Sequence, residues 1–391
     1  GLARFGGVLG VAVSRRGVLA TLDMDGHALI DAPLVEQPLE TTPGRAASQS
    51  APLTADPIGG FVPLFQRVEH DGDRDRDPAR GGYGSIVDGS PRIAPRLSSA
   101  CGARYARFDG GARAMSGPSA AAVAGGLLWI ANLYTDNVLL ARCAPASSSP
   151  VSGELDVVTT YGVGRAPRGI AVTRDGRSAF VDAGFDWAVS RLDAPPGAAA
   201  GTRIAPTWTR TRTLGPTILT PAALAGRSLF FDAVDTHLTP SGVVTCGTCH
   251  PRGGDDGLSW FFHTTTVAPK VRRTPPAWAA RPAFAPFHWD GEFTDVAVLS
   301  RATTEALMEG DGLLVDFADI GAYLAELPPP MPRPAASAAE TALIEEGRAI
   351  FTTAGCDTCH VGGTGTDGLR HEVLPAGTDL DAVLTSVDTP P

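Results

Sequence analysis

The sequence predicts a multidomain protein: an all-β N-terminal part of propeller type, incomplete, over residues 1–205, then two all-α domains over residues 214–328 and 338–391. Three observations predict it. Short strand-like segments recur about every 50 residues, the period of blades that cannot bury their faces alone. From Leu214 the texture turns helical. A Gly-Arg-x-apolar-Phe core, at residues 226–230 and again at 347–351, precedes each of two Cys-x-x-Cys-His motifs and marks the helical part as duplicated.

Residues 167–193, PRGIAVTRDGRSAFVDAGFDWAVSRLD, read as strand, tight turn at Asp175-Gly176, strand, turn near Asp186, strand. Fifty residues earlier the same pattern places Gly126, Trp129, Ile130 and Asp136 where this copy has Gly176, Ala179, Phe180 and Asp186. Near the start, GVAVSRRG from Gly10 aligns with residues 169–176. Residues 1–205 hold roughly four such periods, and because a propeller must close, blades are expected before Gly1. A β-sandwich is the alternative for the same strands. Residues 70–82, HDGDRDRDPARGG, alternate aspartates as calcium loops do, but the interleaved arginines can neutralise them, so a solvated loop is the first reading and calcium the second.

In the helical part, TPAALAGRSLFFDA offers Thr220 as N-cap and Pro221 at the first helical position. Residues 315–327, VDFADIGAYLAEL, form an amphipathic helix with Phe317, Ile320, Tyr323 and Leu324 on one face, stopped by PPPMPRPAASA. The second copy has no such closing helix before Pro391.

With 391 residues, 43% of them apolar, the chain can bury large cores. Its formal charge of −10 and pI near 5.3 exclude an electrostatic grip on nucleic acid, which needs clustered cations. Lys270 is the only lysine. No run of 18 apolar residues predicts a transmembrane segment, and a start without Met or a cleavage site predicts a mature or incomplete chain. Of six cysteines, Cys101 and Cys143 lie outside the motifs, either bridged to each other or present as separate thiols.

The motifs are Cys246, Cys249 and His250, and Cys356, Cys359 and His360. Two thiols at this spacing reach the two vinyl groups on one porphyrin edge, and the adjoining imidazole ligates iron. A zinc knuckle would favour a second Cys or His pair close by, and a redox-active thiol pair does not need the following histidine; a histidine after each pair, twice, favours covalent c-type haem. His250 and His360 are then the iron ligands, each expected to donate its other ring N–H to a backbone carbonyl. The sixth position decides between electron carrier and catalyst. Candidates at the first haem are His263, His288 and Met308; at the second none stands out, no methionine follows His360, and His371 reads as a surface residue.

The run LFFDA…CGTCHPRGGDDGLSWFF…RRTPPAWAARPAFAPFHWDGEFTDV with CDTCH downstream resembles the bacterial dihaem cytochrome c peroxidase and MauG family, in the branch with an N-terminal propeller. The resemblance implies cytochrome c-like haem domains, a peroxidatic first haem, an electron-relay second haem, and a tryptophan between them, matched by Trp289 in its WDG. It makes His263 the nearest match to a switchable sixth ligand, with His288 its rival. Family peroxidases carry Gln ten and Glu twenty residues after that tryptophan; here stand Leu299 and Glu309, with Glu305 one turn away, so Glu309 is the candidate proton carrier and the missing Gln departs from the pattern. The family's second distal ligand would lie past Pro391, so the whole protein is expected to be longer at both ends.

These readings predict an exported, periplasmic dihaem cytochrome that reduces hydrogen peroxide with electrons from a small donor protein of cytochrome c or cupredoxin type. A MauG-like oxidase of a protein substrate and a non-enzymatic electron-transfer module whose propeller docks a partner are the alternatives.

Overall fold

The computed structural model describes residues 2–5, 7–13, 18–23, 27–33, 47–49, 53–56, 60–63, 65–68, 85–87, 90–91, 93–99, 104–107, 116–142, 156–196, 203–211, 217–240, 242, 244–256, 259–263, 270–288, 291–308, 310–329, 331, 333–363 and 365–371. Strands outnumber helices among them, twenty-three to five α-helices. The first sheet is a four-stranded antiparallel meander of β1 (Leu2–Phe5), β2 (Val8–Val13), β3 (Val18–Leu22) and β4 (Ala28–Pro33). A second joins β5 (Ala47–Gln49), β8 (Phe65–Val68), β11 (Ile93–Ser99) and β12 (Arg104–Arg107), and β6 (Leu53–Asp56) pairs with β7 (Gly60–Pro63).

The two sheets nearest the motifs repeat one plan. In one, β13 (Pro118–Ala124), β14 (Leu127–Asn132), β15 (Asn137–Arg142) and β16 (Asp156–Gly162) run antiparallel in sequence order, with β20 (Arg203–Ile204) parallel at the edge. In the other, β17 (Pro167–Val172), β18 (Ser178–Ala183), β19 (Ala188–Asp193) and β21 (Trp208–Thr211) do the same. The strand–turn–strand–turn–strand reading of residues 167–193 is what the structure has. Such sequential four-stranded meanders are the units from which propeller blades are built.

Their inward residues make one core: Trp129, Val138, Leu140 and Tyr161 from the first sheet meet Ala179, Val181 and Leu192 from the second. The buried Trp129 ring stacks on Tyr161 with centroids 5.6 Å apart, and its indole N–H donates to the Gly176 carbonyl at 2.9 Å. The hairpin turns of the two sheets touch backbone to backbone there: a Cβ on Gly176 would lie 2.0 Å from the Ala124 oxygen. Glycine at the turn is what permits that approach.

The expectation of two all-α cytochrome c-like domains after residue 214 is not met. Strands β22 (Ser259–His263) and β23 (Lys270–Arg273) lie inside the first of those segments and join β9 (Ser85–Val87) and β10 (Ser90–Pro91), with β22 parallel to β9. Aromatic residues at Trp260, Phe261 and Phe262 suit a pleated strand better than a helix. Around these strands, prolines at 251, 275, 276, 282 and 286 accompany short 3-10 turns at Pro251–Gly253, Ala277–Ala280 and Pro282–Phe284 rather than longer helices. The described part of the second segment holds one long helix and one 3-10 turn.

Helices do surround the first motif. These are α1 (Pro221–Phe230), the single turn α2 (Cys246–Cys249), α3 (Val296–Leu307) and α4 (Phe317–Glu326); α5 (Ala338–Thr353) precedes the second motif. The Thr220 hydroxyl caps α1 by accepting from the Ala223 N–H, with Pro221 at the first position, as the sequence predicts. Helix α4 buries the face read from its periodicity, Phe317, Ile320, Tyr323 and Leu324. It packs on α1, and Phe230, Leu238, Val244, Phe287, Val296 and Met308 complete that core. No helix of the described residues is long and apolar enough to cross a membrane.

Candidate functional site

Cys246 and Cys249 are the first and last residues of α2, so a three-residue offset puts their side chains on one face of a single turn. The turn is held by the Thr245 N–H donating to the Thr248 hydroxyl at 2.9 Å and the His250 N–H donating to the Cys246 carbonyl at 2.9 Å. Both thiols are free, half-buried, and packed against the core of α1, α3 and α4. Burial pushes the Cys246 thiol up to about 12 and that of Cys249 well above its ordinary value, with Asp256 and Cys246 adding to the latter.

The half-buried His250 ring packs on Phe230, centroids 6.3 Å apart, with Nδ1 at 3.2 Å from the Gly254 carbonyl. A carbonyl only accepts, so that contact puts the proton on Nδ1 and leaves the Nε2 lone pair for a ligand role. Burial lowers the His250 pKa, and the Gly254 carbonyl partly counters it. The second motif repeats the design. Cys356–Thr358 is a 3-10 turn, the His360 N–H donates to the Cys356 carbonyl at 3.0 Å, Nδ1 lies 2.9 Å from the Gly365 carbonyl, and the ring packs on Phe351 at 6.0 Å. The two copies differ in cover. Cys356 and Cys359 are half-buried, whereas His360 and every residue of α5 but the half-buried Glu340 are exposed, Leu343, Ile344, Ile350 and Phe351 among them.

Loops of the sheets brace the first motif. Tyr134, in the turn between β14 and β15, donates its hydroxyl to the Gly247 carbonyl at 2.6 Å and stacks on Phe231, while its own carbonyl accepts the Ala233 N–H at 2.8 Å. Gly247 has to be small: a Cβ there would lie 2.3 Å from the Phe231 ring. From the other sheet, Arg165 donates to the Ser228 hydroxyl at 2.8 Å and its Nε to Asp186 at 2.7 Å, and the Arg227 guanidinium lies 4.1 Å over the Phe185 ring. Asp136 accepts the Ala166 N–H at 2.7 Å; its burial, together with Asp232 and Asp186, raises its pKa to about 6.

A second contact joins the loop after the second motif to residues 285–291. Arg370 Nη2 donates to the Gly291 carbonyl at 2.5 Å, and Gly368 packs against the Ala285 carbonyl. Gly291 in turn donates its N–H to His288 at 3.1 Å. Neither Tyr134 nor Arg370 announces itself in sequence, because each acts on a residue 113 or 79 positions away.

Of the predicted site residues, Trp289 and Glu309 lie outside the described residues, as do residues 70–82, Cys101 and Cys143. The backbone of His263 ends β22; its side chain is not among those described. His288 is exposed, with Nδ1 2.8 Å from Glu292 and its ring edge-on to Phe293. Met308 caps α3 and is 4% exposed in the core that the first thiols touch. Glu305 pairs with Arg301 on the surface of α3, and Leu299 is partly buried against the same core.

Among the described residues no three His, Cys, Asp or Glu groups converge as a bare ion requires. Two thiols on one turn, an adjoining imidazole whose Nδ1 faces the Gly254 carbonyl, and the apolar core around them are donors of the kind c-type haem uses. No protein-family model matches the chain, and no curated protein does. Solved structures overlapping it include a protein of unknown function from Bacteroides caccae, at 12% identity over 54% of this chain and 59% of that one with a TM-score of 0.31. Another is the Myceliophteria thermophila Cps50 (Swd1) beta-propeller domain, at 11% identity over 54% and 57% with a TM-score of 0.30. The chain spans less than two thirds of each, and overlap this partial assigns it no fold.

Proposed function

We propose that the chain is an exported dihaem c-type cytochrome that reduces hydrogen peroxide with electrons from a small donor protein, its sheets forming blades of a β-propeller. One observation carries the reading: each motif sets two thiols on a turn and backs an imidazole whose Nδ1 faces a glycine carbonyl, so Nε2 is presented twice by the same device. Bound there, haem supplies a redox-active iron whose sixth position is either closed by the protein or open to peroxide. His250 and His360 would hold it and Cys246, Cys249, Cys356 and Cys359 would fix it covalently; Trp289 is the proposed electron bridge and Glu309 the proposed proton carrier for peroxide, which takes two electrons and two protons and leaves as two waters.

Half-reduced protein mixed with peroxide tests this. Consumption of peroxide that Cys246→Ala abolishes and Cys356→Ala leaves without its electron supply is the expected result, each variant keeping the other haem on a denaturing gel. Two haems in either variant would sink the attachment, and an unreactive half-reduced protein would sink the peroxidase. A second reading, the non-enzymatic electron carrier, draws on Met308: its thioether is buried in the core that the first thiols touch and would close the sixth position. A low-spin first haem in both oxidation states, converted to high spin by Met308→Ala, would favour that reading.

A further inference from the structure

The second motif hangs from a closed loop. The Asp367 N–H donates to the Cys359 carbonyl at 3.0 Å, and the Asp367 carboxylate takes the Leu369 N–H at 2.9 Å and the His371 ring at 2.7 Å. Cys359, His360 and Arg370 therefore belong to one braced loop. Helix α5, which leads into it, has no buried residue and is exposed at every position but the half-buried Glu340. From this loop Arg370 donates a hydrogen bond to the Gly291 carbonyl, and Gly368 lies against Ala285. Gly291 is buried, and with His288 it flanks Trp289 and Asp290.

We infer that Arg370 is a positioning residue: it moors the loop of the second motif to the turn that carries Trp289, and thereby sets electron exchange between the two motifs. The inference rests on the dihaem reading. Its physical basis is that a guanidinium bonded to a carbonyl is a charge-assisted contact with a fixed direction. Without it the 359–371 loop keeps its internal bonds and loses its fixed place against residues 285–291. Exchange between two held centres depends on their placement, so a loosened mooring slows it without changing either centre. Arginine suits the role because its fork reaches past the loop while the backbone stays exposed.

Two readouts on the full chain test this. In Arg370→Ala, amide hydrogen exchange should rise in peptides covering residues 285–293 and 359–371, a change that does not need haem. Stopped-flow spectroscopy after half-reduction should show inter-haem transfer slowed about tenfold or more, with haem content and both optical spectra retained. Arg370→Lys keeps a donor and should recover most of both losses. Unchanged exchange at residues 285–293 in Arg370→Ala overturns the mooring. Raised exchange with an unaltered inter-haem rate overturns the electron-transfer role. A parent chain that carries no covalent haem overturns the dihaem reading and the electron-transfer role with it, while the exchange arm still decides the mooring.

Discussion

Tyr134 reaches from a sheet turn into the first motif, and two of its atoms do separable work. Its hydroxyl satisfies the Gly247 carbonyl, and its ring fills the space beside Phe231. Tyr134→Phe removes the first alone and should cost about 1–3 kcal/mol in denaturant unfolding, because a buried acceptor is left without its donor. Tyr134→Ala also empties the ring site and should cost more, about 3–5 kcal/mol. Equal stability of the Phe variant and the parent would show the hydroxyl contact to be slack. Asp136, two residues on, predicts a pH dependence. Its folded pKa of about 6 lies above the ordinary 3.8, so between those values the native state holds a proton that the unfolded chain has lost. Stability therefore falls as pH rises from about 4 to about 6, by about 3 kcal/mol at most. Asp136→Asn keeps an acceptor for the Ala166 N–H and tolerates the positive φ of 49°, so it should flatten this slope and raise stability at pH 7. A slope that survives the substitution would place the titration elsewhere.

Two helices share a glycine with opposite surroundings. Gly226 of α1 sits where α4 crosses, and a Cβ there would lie 1.8 Å from the Asp319 oxygen; Gly347, its counterpart in α5, has nothing within 4 Å. Gly226→Ala must push the helices apart and should cost at least about 3 kcal/mol. Gly347→Ala should be neutral or stabilise by up to about 1 kcal/mol, the difference in helix propensity. Thermal unfolding of both variants checks the pair, and similar losses would mean that α5 is covered like α1. Element-level reading succeeded where one short-range signal was enough: Thr220 with Pro221 started α1, and a 3.6-residue period placed the buried face of α4. It failed at β22 and β23: they pair with each other locally and carry strand-forming aromatics, but β22 is built into a sheet by β9, some 175 residues earlier in the chain. The candidate site divides the same way. Cysteine spacing and the following histidine are visible in five letters, while the carbonyl on each Nδ1, the Tyr134 brace and the Arg370 contact depend on how the chain comes back on itself.

At the scale of the molecule, sheets and motifs form one mechanical chain. The turns of two meanders hold α1 and the first motif, and the turn after residue 287 holds the loop of the second. One motif is thereby braced against a core, with raised thiol pKa values, and the other is open beside exposed Leu343, Ile344, Ile350 and Phe351. That asymmetry suits centres with different tasks, one shielded for chemistry and one accessible to a donor. It has force only if both motifs carry haem. The most direct measurement is the intact mass and haem-stained denaturing gel of the full chain, produced by export in a host that attaches c-type haem. The account predicts a mass raised by two haems that survive denaturation and four motif cysteines inert to thiol alkylation. A protein of the bare polypeptide mass, with those four thiols open to alkylation, would contradict it.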